Sequence, residues 1–361
     1  MAGIQLRGLT KRFGSVVAVD DLSLDVADGE LIALLGPSGC GKTTTLRTIA
    51  GFETPDAGEI YFGERRVSDL LPEQRRIGMV FQNYALFPHM TVAENVAFGL
   101  EMRKTPAAAL RERVAAVLAK VQLTGLEKRY PRQLSGGQQQ RAALARALVV
   151  SPDVLLLDEP LANLDAKLRE EMRFYVRSLQ QEVGITTVYV THDQAEAMVI
   201  ADRIAVMFAG RIHQLGAPAD IYHRPATATV AEFIGLTNFI EGKVIGQHGA
   251  LLNVDTSLGV LTCQGSLPSP DARPMLLVAV RPEALRLSAP SGSPPAENRL
   301  DGAVKARAFL GNIVDYRIAV SPSVVLRVQG APHDSFAVGD RVAVTFEPAA
   351  AWSVPSREDT A

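Results

Sequence analysis

The chain has 361 residues, 47% hydrophobic and 21% charged, which is enough apolar content to bury one large core or two smaller ones, and two domains is the better expectation. A formal net charge of −2 gives no global basic excess of the kind a nucleic-acid binder shows, and the two cysteines, Cys40 and Cys263, are far apart and without metal-ligand spacing, which argues against a disulfide framework and fits a reducing compartment. The N-terminal "MAGIQLRGLTKRFG" lacks an apolar signal core, and runs such as "LIALL" and "MLLVAV" are far shorter than a bilayer span, so no transmembrane segment is expected.

Residues 4–35 alternate apolar and polar positions around a turn at "ADG" (27–29), predicting a layer of short strands that feeds a buried strand, "LIALLG". Strand-like runs "RIGMVFQ", "DVLLLDE", "TTVYVTH" and "RIAVMF" then alternate with helical patterns at 42–50, 107–122, 138–150, 166–183 and 194–201. Such alternation predicts a largely parallel sheet covered on both faces. Near residue 237 the character changes to short β-rich pieces, from "FIEGKVIG" to "RVAVTFE", with few helical patterns. This predicts a small, separate, barrel-like domain, so that the chain divides into 1–236 and 237–361. "SAPSGSPPAEN" (288–298) is too rich in Pro and Ser to pack and reads as an exposed loop inside the second domain.

Chemistry enters at "LLGPSGCGKTTTL", where a buried strand meets Gly36, Pro37, Ser38, Gly39, Cys40, Gly41, Lys42, Thr43 and Thr44 and then a helical run. Glycines let such a loop curl so that its N–H groups cradle phosphate oxygens, Lys42 supplies a cation near the outer phosphates, and the Thr43 hydroxyl can ligate Mg²⁺. Cys40 sits at a helix N-terminus, where thiol pKa values fall, but the preferred reading is that it only fills the loop. In "VLLLDEP", Asp158 and Glu159 point opposite ways at a strand end, so Asp158 can hold the Mg²⁺ shell while Glu159 polarises an attacking water. Gln82 and His192 also close buried strands. Each of these groups could instead be an ordinary polar strand end. "LSGGQQQRAALARAL" (134–148) sets Gly136 and Gly137 at a helix threshold, suiting either an approaching anion or a tight turn.

Together these residues resemble the ATPase subunit of an ABC transporter, on the P-loop 36–43, Gln82, "LSGGQ" 134–138, "VLLLD" 154–158 with Glu159, "NLD" 163–165 and His192. The C-terminal "VAVRPEALRL" and "AFLGNIVDYRIAV" resemble the OB-like TOBE domain of importer ATPases of the polyamine, ferric iron and sugar type. The resemblance implies an α/β P-loop ATPase domain with an antiparallel β layer and a helical subdomain, followed by a small all-β TOBE domain. It implies ATP and Mg²⁺ as cofactors and a head-to-tail dimer, in which Ser135, Gly136, Gly137, Gln138 and Asp165 of one subunit complete the other's nucleotide site. Glu159, His192, Gln82 and Lys42 would be catalytic, Thr43, Gln82 and Asp158 would hold the metal, and Phe13, where the family often has Tyr, would stack on adenine. Residues 82–90 would meet the transmembrane permease at the cytoplasmic face of the inner membrane, with a periplasmic or extracellular solute-binding protein as indirect partner and no nucleic acid.

Two other readings compete. A non-transport ABC protein acting on DNA or ribosomes usually shows a coiled-coil insertion or tandem cassettes, and neither is visible. An oligonucleotide-binding barrel would need a basic, aromatic-rich stripe that the C-terminal segments lack. Among solutes polyamine ranks first, then ferric iron, because "LANLD" departs from the "FSALD" form of the iron branch, then phosphonate or sugar.

Overall fold

The computed structural model describes residues 2–266, 273–290 and 298–356. The chain forms two compact units, residues 1–218 and 219–361.

In the first unit, β1 (Ile4–Phe13) and β2 (Val16–Val26) pair as a hairpin, β3 (Leu31–Leu35) runs into α1 (Lys42–Ala50), and β4 (Ala57–Phe62) and β5 (Arg65–Arg66) complete an antiparallel sheet of order β2-β1-β4-β5. Next come β6 (Ile77–Val80), α2 (Val92–Met102), α3 (Ala107–Lys120) and α4 (Gly136–Leu148). The unit continues through β7 (Val154–Asp158), α5 (Ala166–Val183), β8 (Thr186–Thr191), α6 (Gln194–Ile200), β9 (Arg203–Phe208) and β10 (Arg211–Gly216). The second sheet has the order β10-β9-β3-β8-β7-β6, parallel except for the edge hairpin β9–β10.

Every residue of β3 and β8 is buried, the pattern of strands covered on both faces. Ile32 and Leu34 of β3, Val188 and Val190 of β8, Leu46 and Ile49 of α1, and Ile4 and Leu6 of β1 share one core. Each such side chain contributes about 1.5–3 kcal/mol on burial. At the far end of α1, the guanidinium of Arg75, only 2% exposed, donates to the carbonyls of Thr48 (2.7 Å) and Ile49 (2.9 Å). These carbonyls lie at the negative end of the helix dipole, so the helix that carries the phosphate loop is fixed at its tail.

Helix α2 is absent from the expected helices, although its start signal stands in the sequence as Thr91-x-x-Glu94. The Glu94 N–H donates to Thr91 Oγ1 (3.3 Å), and the Thr91 N–H donates to the Glu94 carboxylate (2.7 Å), a reciprocal capping box. Helix α4 starts at Gly136 rather than 138, so the two glycines form its first turn.

The division between units falls at the start of α7 (Pro218–His223), before the boundary expected at residue 236, and α8 (Ala228–Ile234) belongs to the second unit as well. The physical reason is Arg281, 7% exposed, which donates to the main-chain oxygens of Tyr222 (2.8 Å), Ala231 (3.0 Å) and Leu236 (3.2 Å) and lies over the Tyr222 ring. Beyond these helices come β11 (Asn238–His248), β12 (Leu251–Thr256), β13 (Gly259–Gln264), β14 (Met275–Val280), β15 (Arg286–Ser288), β16 (Arg299–Phe309), β17 (Val314–Ala319), β18 (Val325–Gly330), β19 (Arg341–Thr345) and β20 (Ala351–Pro355). The expected barrel is one of two β layers: strands β11-β12-β13-β20-β14 close a barrel, and β15-β19-β16-β17-β18 form a separate sheet. Both contribute to one core, with Ile240 and Val254 from the barrel and Tyr316 and Val344 from the sheet. Residues 291–297 of the expected Pro- and Ser-rich loop lie outside the described residues. Among the described residues no helix is long and apolar enough to cross a membrane.

Candidate active site

The loop between β3 and α1 is shaped for an anion. Gly41, at φ 104°, occupies a backbone region that only glycine adopts readily, and a Cβ there would lie 2.3 Å from the Ala18 carbonyl. It starts α1 without a side-chain cap, whereas α2, α4 and α5 are capped by Thr91, Ser135 and Asp165. The first-turn N–H groups of α1 are thereby left for a ligand. The Lys42 side chain is buried within the loop, its ammonium donating to the carbonyls of Gly36 (2.7 Å) and Pro37 (2.9 Å). Cys40 is buried too, and desolvation pushes its thiol above the usual cysteine range despite the nearby Lys42. Burial outweighs the helix terminus, so of the two readings Cys40 takes the preferred one and fills the loop.

Strand order assembles the rest, because β3, β8, β7 and β6 are consecutive neighbours whose C-terminal ends carry the phosphate loop, His192, Asp158 with Glu159, and Gln82. Open α/β sheets place ligands at that edge. The Thr43 hydroxyl donates to Asp158 Oδ1 at 3.3 Å. Burial raises the Asp158 carboxyl above its ordinary range, opposed by the Thr43 hydrogen bond and by the cations Arg47 and Lys42. Immediately after Asp158 the backbone turns to φ 44° at Glu159, which swings its carboxylate away from the strand. Glu159 Oε2 accepts from Gln82 Nε2 at 3.2 Å, and Glu159 Oε1 faces His192 Nδ1 at 3.0 Å. Among the described residues Gln82 makes no hydrogen bond to the Thr43–Asp158 pair. The donor set of Thr43 and Asp158, a hydroxyl and a carboxylate, consists of the hard oxygens that magnesium takes.

His192 is backed by a buried acid that the sequence does not advertise. Glu196, 3% exposed on α6, accepts from the hydroxyls of Tyr189 (2.9 Å) and Thr191 (2.8 Å), and Thr191 Oγ1 in turn accepts from the Asp193 N–H (2.9 Å), so both flanks of His192 are tied down. Burial holds the Glu196 carboxyl above the usual carboxylate range, the two hydroxyls opposing; Asp193 also raises it and Arg173 lowers it. With the folded pKa raised, the fold prefers the protonated acid, and stability is lost as pH rises through the folded value. Glu196→Gln is therefore expected to melt above wild type at about pH 8, with the gap closing as pH falls to about 4.5. Scanning calorimetry across that range checks it; a gap independent of pH would contradict the linkage.

The signature segment is a capped helix start. The Gln138 N–H donates to Ser135 Oγ (3.4 Å), and Gln138 Oε1 accepts from the Ser135 N–H (3.0 Å). A Cβ at Gly136 would meet Leu164 Cδ2 at 2.9 Å and one at Gly137 would meet Leu168 Cδ1 at 3.2 Å, so both glycines allow α4 to pack against the "NLD" turn and α5. Asp165 caps α5 by accepting from the Leu168 N–H (3.0 Å), and Asn163 donates to the Gln82 carbonyl (2.7 Å). Phe13 is 47% exposed, with the Lys11 ammonium 5.3 Å from its ring centroid. Along residues 82–90, Tyr84 is buried, Leu86, Phe87 and Met90 are half-buried, and the others are exposed.

A parallel sheet with a phosphate loop at one strand end and paired carboxylates two strands away defines a P-loop nucleotide-binding ATPase. Residues 19–162 match the ABC transporter family and residues 278–354 match the TOBE domain. The chain is 49% identical to the spermidine/putrescine import ATP-binding protein PotA of Acidothermus cellulolyticus over 96% of this chain and 92% of that protein. It is 51% identical to the Fe(3+) ions import ATP-binding protein FbpC of Fusobacterium nucleatum subsp. nucleatum, over 78% of this chain and 74% of that one. Among solved structures it is similar to a dimeric ATP-binding cassette in a post-hydrolysis state bound to ADP and Pi, with TM-score 0.53 and 34% identity over 60% of this chain and 98% of that chain. It is also similar to cbiO1 from Clostridium perfringens, with TM-score 0.56 and 31% identity over 60% of this chain and 89% of that one. The chain belongs to the family of ABC transporter ATP-binding proteins, with a C-terminal TOBE domain, and is an ATPase.

Proposed function

We propose that this chain energises uptake of a polyamine, as the ATP-hydrolysing subunit of an ABC importer held at the cytoplasmic face of the inner membrane by its permease. The observation that carries the hydrolytic part is the Gln82–Glu159–His192 cluster beside an uncapped phosphate loop. In this reading residues 36–44 bind the phosphates through their main-chain N–H groups, Pro37 excepted, and through the Lys42 ammonium, and Phe13 stacks on adenine. Thr43, Asp158 and Gln82 would hold Mg²⁺, which would supply positive charge to neutralise that on the transferred group. Glu159 takes the proton of the attacking water, oriented by Gln82, while His192 holds the carboxylate and reaches toward the γ-phosphate. Ser135, Gly136, Gly137, Gln138 and Asp165 serve the partner subunit's nucleotide in a head-to-tail dimer, and residues 82–90 face the permease.

The polyamine assignment is supported by the relatives named for spermidine and putrescine import, which align over nearly the whole chain; that of Thermobifida fusca is 47% identical over 96% of it. Ferric iron is the second reading, favoured by the FbpC relatives, including FbpC 1 of Rhizobium meliloti at 44% identity over 95% of both chains. Proteoliposomes holding the chain, its permease and its solute-binding protein test the choice. ATP-driven uptake of labelled spermidine or putrescine, with no uptake of Fe³⁺, is the expected outcome. Fe³⁺ uptake without polyamine uptake would replace the first reading by the second.

A further inference from the structure

The segment after Gln82 contains two consecutive non-glycine residues in the left-handed region, Tyr84 at φ 62° and Ala85 at φ 48°. Side chains with a Cβ resist this conformation, and it persists only where surroundings impose it. The turn is held by its own backbone, with the Tyr84 N–H donating to the Phe81 carbonyl (2.9 Å) and the Ala85 N–H to the Asn83 carbonyl (2.7 Å), and by Arg146, in the last turn of α4, whose Nη2 donates to the Tyr84 carbonyl (2.8 Å) and whose Nη1 donates to the Ala85 carbonyl (2.7 Å). The guanidinium also lies over the Phe87 ring, 5.6 Å from its centroid, and forms no ion pair with a carboxylate among the described residues. A planar fork holding two successive carbonyls fixes the direction of both peptide planes, which a lysine point charge cannot do. On the other side, Asn163 holds the Gln82 carbonyl. Gln82 therefore meets Glu159 from a segment pinned at both ends.

We infer that Arg146 is a positioning residue for hydrolysis: it clamps the strained Tyr84–Ala85 turn and so holds the Gln82 amide on Glu159. Because α4 is a single 13-residue helix with Ser135 at its N-cap, the same rod that presents the signature turn at one end grips the Gln82 segment at the other. The catalytic consequence rests on the reading of Gln82 proposed above, whereas the clamp itself does not.

The experiment uses the full chain and two readouts, hydrogen exchange of the amides of residues 81–87 and steady-state ATPase kinetics. Arg146→Met is expected to speed exchange in that segment and lower kcat, each by about tenfold or more, with KM for ATP within about twofold, since among the described residues Arg146 forms no hydrogen bond to the phosphate loop. Arg146→Lys should fall between Arg146→Met and wild type. Ala85→Gly removes the conformational cost that the clamp offsets, so in the Arg146→Met background it should restore most of the protection and of kcat. Lys104→Gly relieves a left-handed residue (φ 54°) outside this turn and should restore neither. Unchanged exchange in Arg146→Met, or equal rescue by both glycines, would overturn the inference. Should Arg146→Met fail to fold, Ala85→Val, which leaves α4 intact and raises the strain at an exposed position, must loosen the segment in the same way; unchanged exchange there overturns the clamp. If Gln82→Ala retains wild-type kcat, the reading of Gln82 falls and with it the catalytic consequence, while the exchange results still decide the clamp.

Discussion

Glu159→Gln is expected to bind ATP as wild type does and to lose turnover by about 10²–10⁴-fold, the range that a positioned general base contributes. The substitution keeps the shape of the side chain and removes its capacity to take a proton. Glu159 lies beyond the strand end, joined to Gln82 at 3.2 Å and His192 at 3.0 Å, and makes no hydrogen bond to the phosphate loop among the described residues. Binding and chemistry should therefore separate. The left-handed backbone at this position is retained, so the variant should present its amide where the carboxylate stood. Steady-state ATPase assays beside equilibrium binding of a fluorescent ATP analogue check both halves. Turnover within about threefold of wild type would assign the proton transfer to another group.

Lys42→Ala should show the opposite division, with nucleotide affinity itself falling about tenfold to a hundredfold. A hydrogen bond involving a charged group contributes about 1.5–3 kcal/mol, and each 1.4 kcal/mol is a factor of ten in binding. Two effects act in the same direction here. The variant removes a cation from the phosphates, and it strips the carbonyls of Gly36 and Pro37 of the donor that holds the loop curled. Titration of ATP and ADP by calorimetry measures the loss, expected to be larger for ATP because the ammonium is assigned to the outer phosphates. Equal affinity in variant and wild type would contradict the phosphate-binding role of Lys42.

Much of the first unit was legible in the sequence because its signals are local. Apolar runs such as "LIALL" and the "VLLL" before Asp158 mark strands buried on both faces, and the polar residues that end them mark the sheet edge where ligands sit. The phosphate loop was readable because glycine spacing, a preceding strand and a following helix are all short-range features. Helix α2 was equally local, written in the Thr91–Glu94 capping box.

What sequence order alone determined, then, was the set of strands and helices and the chemical character of each strand end; the tertiary structure decided which ends are neighbours. Residues 36, 192, 159 and 82 adjoin one another only because β3, β8, β7 and β6 pair in that order, a long-range choice with no local signal. Burial is likewise a tertiary quantity. It makes Cys40 a desolvated, loop-filling thiol and Glu196 a brace for His192. Partner placement likewise makes Arg146 a clamp through the Tyr84 and Ala85 carbonyls and ties α7 and α8 to the β unit through Arg281. In each case the residue type was visible from the start. Its role followed from which carbonyls, hydroxyls or apolar groups the fold packed around it, because desolvation and hydrogen-bond partners set the energy of a polar side chain and neither is encoded in its neighbours along the chain.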